Sequence, residues 1–448
     1  MEISINACLK KGEVVEPNKE GILVVDTGAL PISTFDGLSN SDDIYRKSIE
    51  NGHVDHHTVD MLPAMEKQPK KCATQMVVDY FDDILKYCKE HNVTEVQIHN
   101  DSDIDAITAA WLLQKGLKDE KLPKCAEQMA QIVNKVDYAE YRKPVDEYVT
   151  SFPGCVEAIY GASGGEKAAD IKSRQAWGEF AELDNKIIKE ILPVYDIIAE
   201  RMDNDIPFDL DKRDIRAFIE ENSHIDQKVK DYMRKGLEQT AQAQKQFEQN
   251  IAKAKVVKFN FNNPKTNRTE TAQMVIVSSK DPLTTTNLGY AHFGKNTIMA
   301  VYGGVERKCG DMYDIGITPE AADALGMVMK DICITMNKNE ASKRQQVERI
   351  CEGLAQLPVR TPKEEQKLSG LRKSLDELEK MGTRLAFEGA DKLDLIDKDP
   401  SPLVAGNTLV PASRHSLITE DTFNKILTNW ANKTRTNTLT KDNSIGPR

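Results

Sequence analysis

The sequence lacks the features of a secreted or membrane-spanning protein. Its eight cysteines are scattered and include no C-x-x-C pair, which is typical of reduced thiols and argues against both a disulfide framework and a zinc ribbon. The first 21 residues contain no basic segment followed by an apolar one. No apolar run approaches the roughly 18–20 residues that span a bilayer. We therefore expect a cytoplasmic protein with no membrane partner.

The sequence also lacks an excess of positive charge. Its 60 Lys and Arg residues face 71 Asp and Glu residues, for a formal net charge of −11. A protein that holds long nucleic acid through its phosphates usually presents a basic face, so an extensive nucleic-acid surface is not expected. A small phosphorylated substrate is compatible with this charge, because bound divalent cations can supply the missing positive charge.

Short strand-like runs alternate with amphipathic helical stretches over residues 1–172. GILVVDTG and VTEVQIHND have the composition of buried strands, whereas ATQMVVDYFDDILKYCKEHN and DAITAAWLLQKG have apolar residues at helical spacing. This βαβα order predicts an α/β fold, in which an open and mostly parallel sheet is flanked by helices. We expect this segment to be the catalytic domain.

The rest of the chain divides into three parts by composition. Residues 173–255 are highly charged with helical periodicity, which predicts a helical connector. Strand-like runs such as VVKFNF and AQMVIVSS return in residues 256–390, where we expect a smaller α/β substrate-binding domain. Residues 391–448 are rich in Pro, Asn, Thr and Ser and are predicted to form an irregular C-terminal extension.

Acidic and histidine side chains cluster where the predicted strands end. Asp26 ends the strand ILVVD, and the run Asp55–His57 lies about thirty residues further on. His99 ends another strand, and Asp103 and Asp105 lie in the turn that opens the next helix. Because ligands of open α/β sheets bind beyond the carboxyl ends of the strands, we expect these side chains to lie together.

The residue types in this cluster indicate a metal site. Carboxylates mixed with imidazoles, without thiolates, suit Mn²⁺, with Mg²⁺ or Co²⁺ as alternatives, better than structural zinc. The ligands outnumber the needs of one catalytic metal and fit two ions about 3.5–4 Å apart around a bridging carboxylate. Taken singly, Asp103 or Asp105 would be interpreted as a helix N-cap and Asp26 as the start of a turn. Their combination favours the two-metal interpretation.

The same stretches resemble the motifs of the DHH phosphoesterase superfamily, which includes RecJ-like nucleases and family II pyrophosphatases. HNDSDIDAITAAWLL resembles the first motif, His-x-x-x-Asp-x-Asp-Ala. VVDTG and HVDHH resemble the second and third motifs, and KCATQMVVDYF resembles the helix that commonly follows. The resemblance covers roughly residues 20–140 well and the later parts in outline.

The resemblance implies a metal ligand at each matching position. His99 and Asp103 would bind one metal, and His56 and Asp105 the second. Asp26 would bridge the two metals. The family's reaction is the hydrolysis of a phosphoester or phosphoanhydride by activated water.

Three further residues receive a role from the resemblance. His57 would contact the scissile phosphate, and Asp55 would orient its neighbours. Asp137, in QIVNKVDYAEYR, is the candidate for a fourth acid that the family often has. The alternative for Asp137 is an acid at a helix end or on the surface.

The chain departs from the family pattern in two ways. The His-x-x-x-Asp-x-Asp motif follows the other two motifs here, whereas the family places it first. A permuted order can preserve a site built from strand ends, and the alternative is that one match is spurious. The chain also lacks the Gly-Gly-Gly-His-like substrate loop of many relatives.

Two rival motifs are less consistent with their surroundings. GASGG fits the G-x-S-x-G nucleophile elbow around Ser163, but a long charged helical stretch follows it instead of further strands. GYAHFGKN nearly matches a P-loop, but it ends on Asn296 and precedes a strand-like run. A P-loop must open a helix to offer backbone amides to a phosphate.

These observations predict a metal-dependent phosphoesterase. The expected substrate is a phosphodiester in a short oligonucleotide, a cyclic dinucleotide or a similar small nucleotide, cleaved by two-metal water activation. A pyrophosphatase or polyphosphatase is the alternative enzyme, and a catalytically degenerate nucleotide-binding regulatory protein is the alternative without turnover. A small phosphorylated substrate or short oligonucleotide is the expected partner, and a homodimer is one possible assembly.

Overall fold

The computed structural model describes most of the chain and divides it into two compact units, Met1–Gln244 and Lys245–Arg448. The described residues are 2–9, 15, 17–27, 30–60, 62–65, 68–100, 102–138, 140–141, 143–165, 177–204, 208–264, 266–279, 282–294, 296–303, 312–317, 321–357, 359–381, 385–387, 408–411 and 418–442. Each unit has its own buried apolar core.

A four-stranded parallel sheet forms the centre of the first unit. Its strands are β1 (Ser4–Leu9), β2 (Ile22–Val25), β3 (His53–Val54) and β4 (Glu95–His99), in the spatial order β1-β4-β2-β3. Val25 of β2 pairs with Val54 of β3 and with Ile98 of β4. All three side chains are fully buried, as expected for a parallel sheet covered on both faces. The predicted parallel α/β sheet is thus present.

Eight helices accompany these strands among the residues that the structure describes up to Tyr160. They are α1 (Ser41–Glu50), α2 (His57–Asp60), α3 (Ala73–Asp79), α4 (Phe81–Glu90), α5 (Ile104–Asp119), α6 (Ala126–Asp137), α7 (Val145–Tyr148) and α8 (Phe152–Tyr160). Helix α5 is buried without interruption from Ile104 to Leu113, which marks it as a helix of the protein core. It follows directly on β4 and therefore starts at the carboxyl edge of the sheet.

The stretch predicted to be a connector is helical, but most of it belongs to the first unit. It forms α9 (Trp177–Asp203), α10 (Ile215–Glu221) and α11 (Gln227–Ile251). Ile191 and Tyr195 of α9 are buried in the core of this unit. A side chain at Gly236 of α11 would collide with the backbone of Ala158 in α8, so the two helices approach closely there. These helices therefore pack against the first unit, which the connector prediction did not include, because their many charged residues obscure the apolar faces in the sequence.

The second unit contains a six-stranded mixed sheet. Its strands are β5 (Lys255–Asn263), β6 (Arg268–Ser278), β7 (Thr297–Gly303), β8 (Met312–Gly316), β9 (Leu385–Phe387) and β10 (Thr408–Pro411), in the order β5-β6-β7-β8-β10-β9. The β6–β7 pair is parallel and the other pairs are antiparallel. The helices are α12 (Pro282–Phe293), α13 (Ala322–Ala355), α14 (Pro362–Met381) and α15 (Glu420–Asp442).

The prediction of an irregular C-terminal extension is wrong for residues 408–411, which form β10, and for residues 420–442, which form α15. Phe423, Leu427 and Trp430 recur at helical spacing and are buried in the second core. The indole N–H of Trp430 donates to Asp331 Oδ2 at 2.6 Å. In the described parts of both units, no helix combines the length and the apolar character needed to cross a membrane.

Candidate metal centre

The carboxyl edge of the parallel sheet brings the predicted residues together. Asp26 follows β2, Asp55 follows β3, and His99 is the last residue of β4. These strands are neighbours and run parallel, so their carboxyl ends meet at one edge. Side chains from seven predicted positions approach one another there: Asp26, His56, His57, His99, Asp103, Asp105 and Asp137.

Asp26 lies at the centre of this cluster. Its Oδ1 atom is 3.0 Å from Nε2 of His57 and 3.3 Å from Nε2 of His56. Its Oδ2 atom is 3.4 Å from Nε2 of His99. The side chain is 1% exposed, and within the described structure neither oxygen meets a donor in hydrogen-bonding geometry. A carboxylate that is buried among imidazole nitrogens, and whose oxygens accept no hydrogen bond from them, is suited to binding a shared cation.

The backbone of Asp26 is unusual as well. Its φ angle is +54°, in the left-handed region that residues other than glycine rarely adopt. Asp tolerates this region better than most residues, because its short side chain can form local hydrogen bonds. Backbone conformations of this kind concentrate at functional sites, where the surrounding structure holds them in place.

Among the described residues, three overlapping groups of side chains could each hold a metal ion, and one of them joins Asp26, His56 and His57. The ligand atoms of Asp26, His99 and Asp103 lie within 4.8 Å of one another, and so do those of His56, Asp105 and Asp137. We call these the His99 group and the His56 group. Nε2 of His56 is also 3.3 Å from Asp26, so the Asp26 carboxylate lies within reach of both groups.

The start of α5 fixes one acid of the His99 group. Asp103 is the N-cap of α5, and its Oδ1 accepts from the backbone N–H groups of Asp105 and Ala106, each at 3.1 Å. Its Oδ2 lies 3.5 Å from Nε2 of His99. The N-cap interpretation and the metal-ligand interpretation of Asp103 are therefore compatible, because the two carboxylate oxygens serve different contacts.

The start of α3 fixes one acid of the His56 group. The two oxygens of Asp105 accept hydrogen bonds from the backbone N–H groups of Ala73 and Thr74, each at 2.8 Å. Each carboxylate oxygen has two lone pairs, so these bonds leave one on each oxygen for a metal. The stretch KCATQMVVDYF thus holds Asp105 in place through its first helical turn.

The imidazole rings are oriented by bonds to Nδ1. Nδ1 of His99 lies 3.0 Å from the carbonyl oxygen of Asn100, which can only accept. Nδ1 of His56 lies 3.2 Å from Oδ2 of Asp60 and 2.9 Å from the hydroxyl of Tyr138. With the ring hydrogen on Nδ1, both histidines present a lone pair at Nε2, on the side where Asp26 lies.

Sequence reasoning missed Asp60 and Tyr138. Both are buried, and the hydroxyl of Tyr138 donates to Oδ2 of Asp60 at 2.6 Å. Asp60 lies four residues after His56, a spacing that brings two side chains to one face of a helix. Tyr138 directly follows Asp137. The i,i+4 spacing was a signal in the sequence, whereas nothing in the sequence pairs Tyr138 with Asp60.

The remaining predicted residues lie beside the two groups. Asp55 is buried, and its Oδ1 accepts from the backbone N–H of His57 at 3.3 Å. Sequence reasoning also missed Asp184 of α9, which accepts from the hydroxyls of Ser102 and Tyr160 at 2.9 and 2.7 Å. Because Ser102 lies in the turn between His99 and Asp103, Asp184 supports that turn from α9.

Burial and charge act against each other at Asp26. Burial alone would raise its pKa, because it disfavours the charged form. The charge of His57, together with the contacts from His56 and His99, outweighs burial and holds the pKa of Asp26 well below its ordinary value. The central carboxylate is therefore ionised and available to a cation.

The neighbouring groups show that this cluster is short of positive charge. Burial raises the pKa of Asp137 well above its ordinary value, and Asp105 and Asp26 add to the rise. Burial lowers the pKa of His56, but Asp137, Asp26 and Asp60 outweigh it and raise that pKa well above its ordinary value. The acids and imidazoles of this cluster thus favour bound protons, and a metal ion would compete with these protons for the same atoms.

Exposure indicates how solvent reaches the two groups. The side chains of Asp103 and Asp137 are 39% and 15% exposed, and that of His57 is 10% exposed. Those of His56, His99 and Asp26 are 1–2% exposed. Each group therefore contains one acid that borders solvent, Asp103 or Asp137, so water or a small molecule can approach both groups.

The rival nucleophile motif forms a helical segment without a matching site. Ser163 lies in the π-helical segment Gly161–Gly165, which directly follows α8, and its hydroxyl donates to the carbonyl oxygen of Tyr160 at 3.0 Å. The next described element is the helix α9, whereas a nucleophile elbow connects a strand to a helix. The local geometry is that of a helix end.

Comparisons of the chain with family models, with curated proteins and with solved structures found no match. The chemistry of the site is therefore read from its donor atoms. Carboxylates and imidazoles make up both groups, a donor set that could hold a divalent metal ion.

Proposed function

We propose that the chain is a metal-dependent phosphohydrolase of the DHH type. It cleaves a phosphodiester in a short oligonucleotide, a cyclic dinucleotide or a similar small nucleotide, with two divalent cations, Mn²⁺ first among them. One observation carries the proposal: two groups of metal-binding side chains share access to the buried carboxylate of Asp26. Two ions about 3.5–4 Å apart, which clamp the attacking and leaving oxygens, occur in phosphatases and nucleases.

Each residue has a proposed role. Asp26 would contribute to both ion sites; His99 and Asp103 would complete one set of ligands, and His56, Asp105 and Asp137 would complete the other. When bound, the two ions lower the pKa of water and stabilise negative charge on the attacking and leaving oxygens. His57 contacts the scissile phosphate, and Asp55 holds the backbone of His57 in place.

The charge of the site supports cation-dependent chemistry. Once metal ions displace their protons, the carboxylates of Asp26, Asp103, Asp105 and Asp137 would carry four negative charges within a small volume. An anionic phosphodiester would be repelled from such a site. Two divalent cations contribute four positive charges, which balance these carboxylates and give the phosphate two electropositive contacts.

The spatial order of the strands supports the DHH-type assignment despite the changed motif order. The first motif begins at the last residue of β4, the second lies at the end of β2, and the third lies at the end of β3. In the sheet, β2 lies between β4 and β3. The three motifs are therefore adjacent in space, as the proposal requires, although the first comes last along the chain.

The proposal is tested with the purified chain, Mn²⁺ and the generic diester bis-p-nitrophenyl phosphate. Release of p-nitrophenol should require Mn²⁺ and fall to background in Asp26→Ala and in His56→Ala. Asp82→Ala removes an exposed acid from α4 and should retain wild-type activity, as the matched control. Wild-type protein that shows neither turnover nor Mn²⁺ binding would overturn the proposal.

The same preparation separates the alternatives. Phosphate release from pyrophosphate without diester cleavage would replace the diesterase with a pyrophosphatase. Mn²⁺-dependent binding of a nucleotide without turnover of any phosphate substrate would indicate the regulatory alternative.

A further inference from the structure

Asp60 and Tyr138 form a closed set of hydrogen bonds behind His56. Oδ2 of Asp60 lies 3.2 Å from Nδ1 of His56, and the Tyr138 hydroxyl lies 2.9 Å from the same nitrogen. The hydroxyl also donates to Oδ2 of Asp60 at 2.6 Å. All three residues are at most 7% exposed, so water does not compete for these bonds.

The donors and acceptors fix the tautomer of His56. The Tyr138 hydroxyl uses its one hydrogen toward Asp60, and the carboxylate of Asp60 only accepts. The hydrogen between His56 and these two oxygens must therefore reside on Nδ1. In the neutral ring, Nε2 therefore carries the lone pair, and it lies 3.3, 3.6 and 3.8 Å from carboxylate oxygens of Asp26, Asp137 and Asp105.

The position of Asp60 is costly for folding. A buried carboxylate is expensive unless it is paired and hydrogen-bonded. Oδ1 of Asp60 has no hydrogen-bond partner in the described part of the chain. The Lys70 ammonium lies 4.0 Å from Oδ2 and above the Tyr138 ring, 5.5 Å from its centroid. An apolar side chain there would leave the Tyr138 hydroxyl and Nδ1 of His56 without this acceptor, so the carboxylate orients His56.

The contacts of this pair lie on one side of the site. Asp60 belongs to α2, which directly follows His56, and Tyr138 follows α6, which ends at Asp137, so their bond joins the two helices next to these residues. The turn that carries His99 and Asp103 is supported by a different residue, Asp184 of α9. Different residues thus support the two groups from behind, namely Asp60 and Tyr138 at His56 and Asp184 at the turn between His99 and Asp103.

We propose that Asp60 and Tyr138 are positioning residues that set the affinity of the His56 group for its metal ion and leave the His99 group unaffected. The inference rests on the proposed two-metal function. It adds that the two ions bind with affinities that can be changed independently, because each group has its own support. Partners of this kind behind a metal-binding histidine contribute about 10- to 100-fold to metal affinity.

The test is a calorimetric titration of the metal-free full-length chain with Mn²⁺. Asp60→Asn keeps the shape of the side chain and removes its charge, and we expect one of the two Mn²⁺ equivalents to bind about 10- to 100-fold more weakly. The other equivalent should change by less than about twofold. Tyr138→Phe keeps the ring and should weaken the same equivalent by up to about tenfold. Electron paramagnetic resonance should show less spin-coupled Mn²⁺ pair in both variants.

Asp184→Asn is the matched control, because it removes the charge of a buried carboxylate that bonds to Ser102 and Tyr160. It should leave the equivalent that depends on Asp60 unchanged. Thermal unfolding of the metal-free variants checks that each one folds.

The outcomes separate the two proposals. Equal weakening of both equivalents by Asp60→Asn, or no weakening of either, would overturn this inference while the two-metal function stands. Wild-type protein that binds no Mn²⁺ would overturn both.

Discussion

The two sheets of this molecule place their polar residues differently. In the parallel sheet, Asp26, Asp55 and His99 lie at the ends of three adjacent strands and come together at one edge. In the mixed sheet, the central strand β7 is buried throughout and is apolar from Ile298 to Val301. Every group of described side chains that could hold a metal ion lies in the first unit.

The difference follows from strand direction. Parallel strands present all their carboxyl ends at one edge, so residues from distant parts of the sequence gather there. Antiparallel neighbours end at opposite edges, which disperses the residues that follow them. The mixed sheet does carry a buried acid, Asp314 of β8, but it lies within a strand. A buried acid at the carboxyl edge of the parallel sheet therefore lies beside other polar side chains that can share a metal ion, whereas Asp314 lies inside a strand of the mixed sheet.

The largest expected effect is a loss of Mn²⁺ affinity that occurs on substitution of Asp26 and not on substitution of Asp314. Asp26→Asn should reduce Mn²⁺ affinity by at least about 100-fold, because it weakens a ligand that both groups share. Asp314→Asn should leave Mn²⁺ affinity unchanged, since Asp314 belongs to the other unit. Calorimetric titration measures both variants. Equal loss of Mn²⁺ binding in the two variants would remove the distinction between the sheets.

The second effect concerns stability. Leu23 of β2 and Ile298 of β7 are both fully buried, so Leu23→Ala and Ile298→Ala should each cost about 2–5 kcal/mol of unfolding free energy. Chemical denaturation measures this cost. We expect Mn²⁺ binding to weaken only in Leu23→Ala, because β2 also positions Asp26. Weakened Mn²⁺ binding in Ile298→Ala with unchanged affinity in Leu23→Ala would contradict the account.

The smallest effect is a local response to the metal. Mn²⁺ at about 100 times its dissociation constant should stabilise the unit that binds it by about 2.7 kcal/mol. Hydrogen exchange should slow in α5 and α3 of the first unit and stay unchanged in α15 of the second. Slower exchange in α15 alone would mean that the metal binds in the second unit, against the proposal.

The sequence predicted the acids and histidines of the site because each lies beside a recognisable strand or helix end. Asp26 follows an apolar run, and Asp103 and Asp105 open a helix. Asp60 and Tyr138 were missed because their contact joins residues 78 positions apart, and a pairing across that distance exists only in the folded chain.

The errors in the fold prediction have a related cause. Charged residues conceal the buried face of α9, where Ile191 and Tyr195 enter the first core. Polar composition likewise concealed α15, although Phe423 and Leu427 already have helical spacing. In both places average composition was weighed more heavily than the periodicity of a few apolar residues.

The central claim is that two metal ions share Asp26. Anomalous diffraction at the manganese edge, from crystals of the full chain grown with Mn²⁺, tests it directly. The account predicts two peaks about 3.5–4 Å apart, one at His99 and Asp103 and one at His56, Asp105 and Asp137, with Asp26 contacting both. A peak at neither group, or ions bound elsewhere while Asp26 keeps only its histidine contacts, would contradict it.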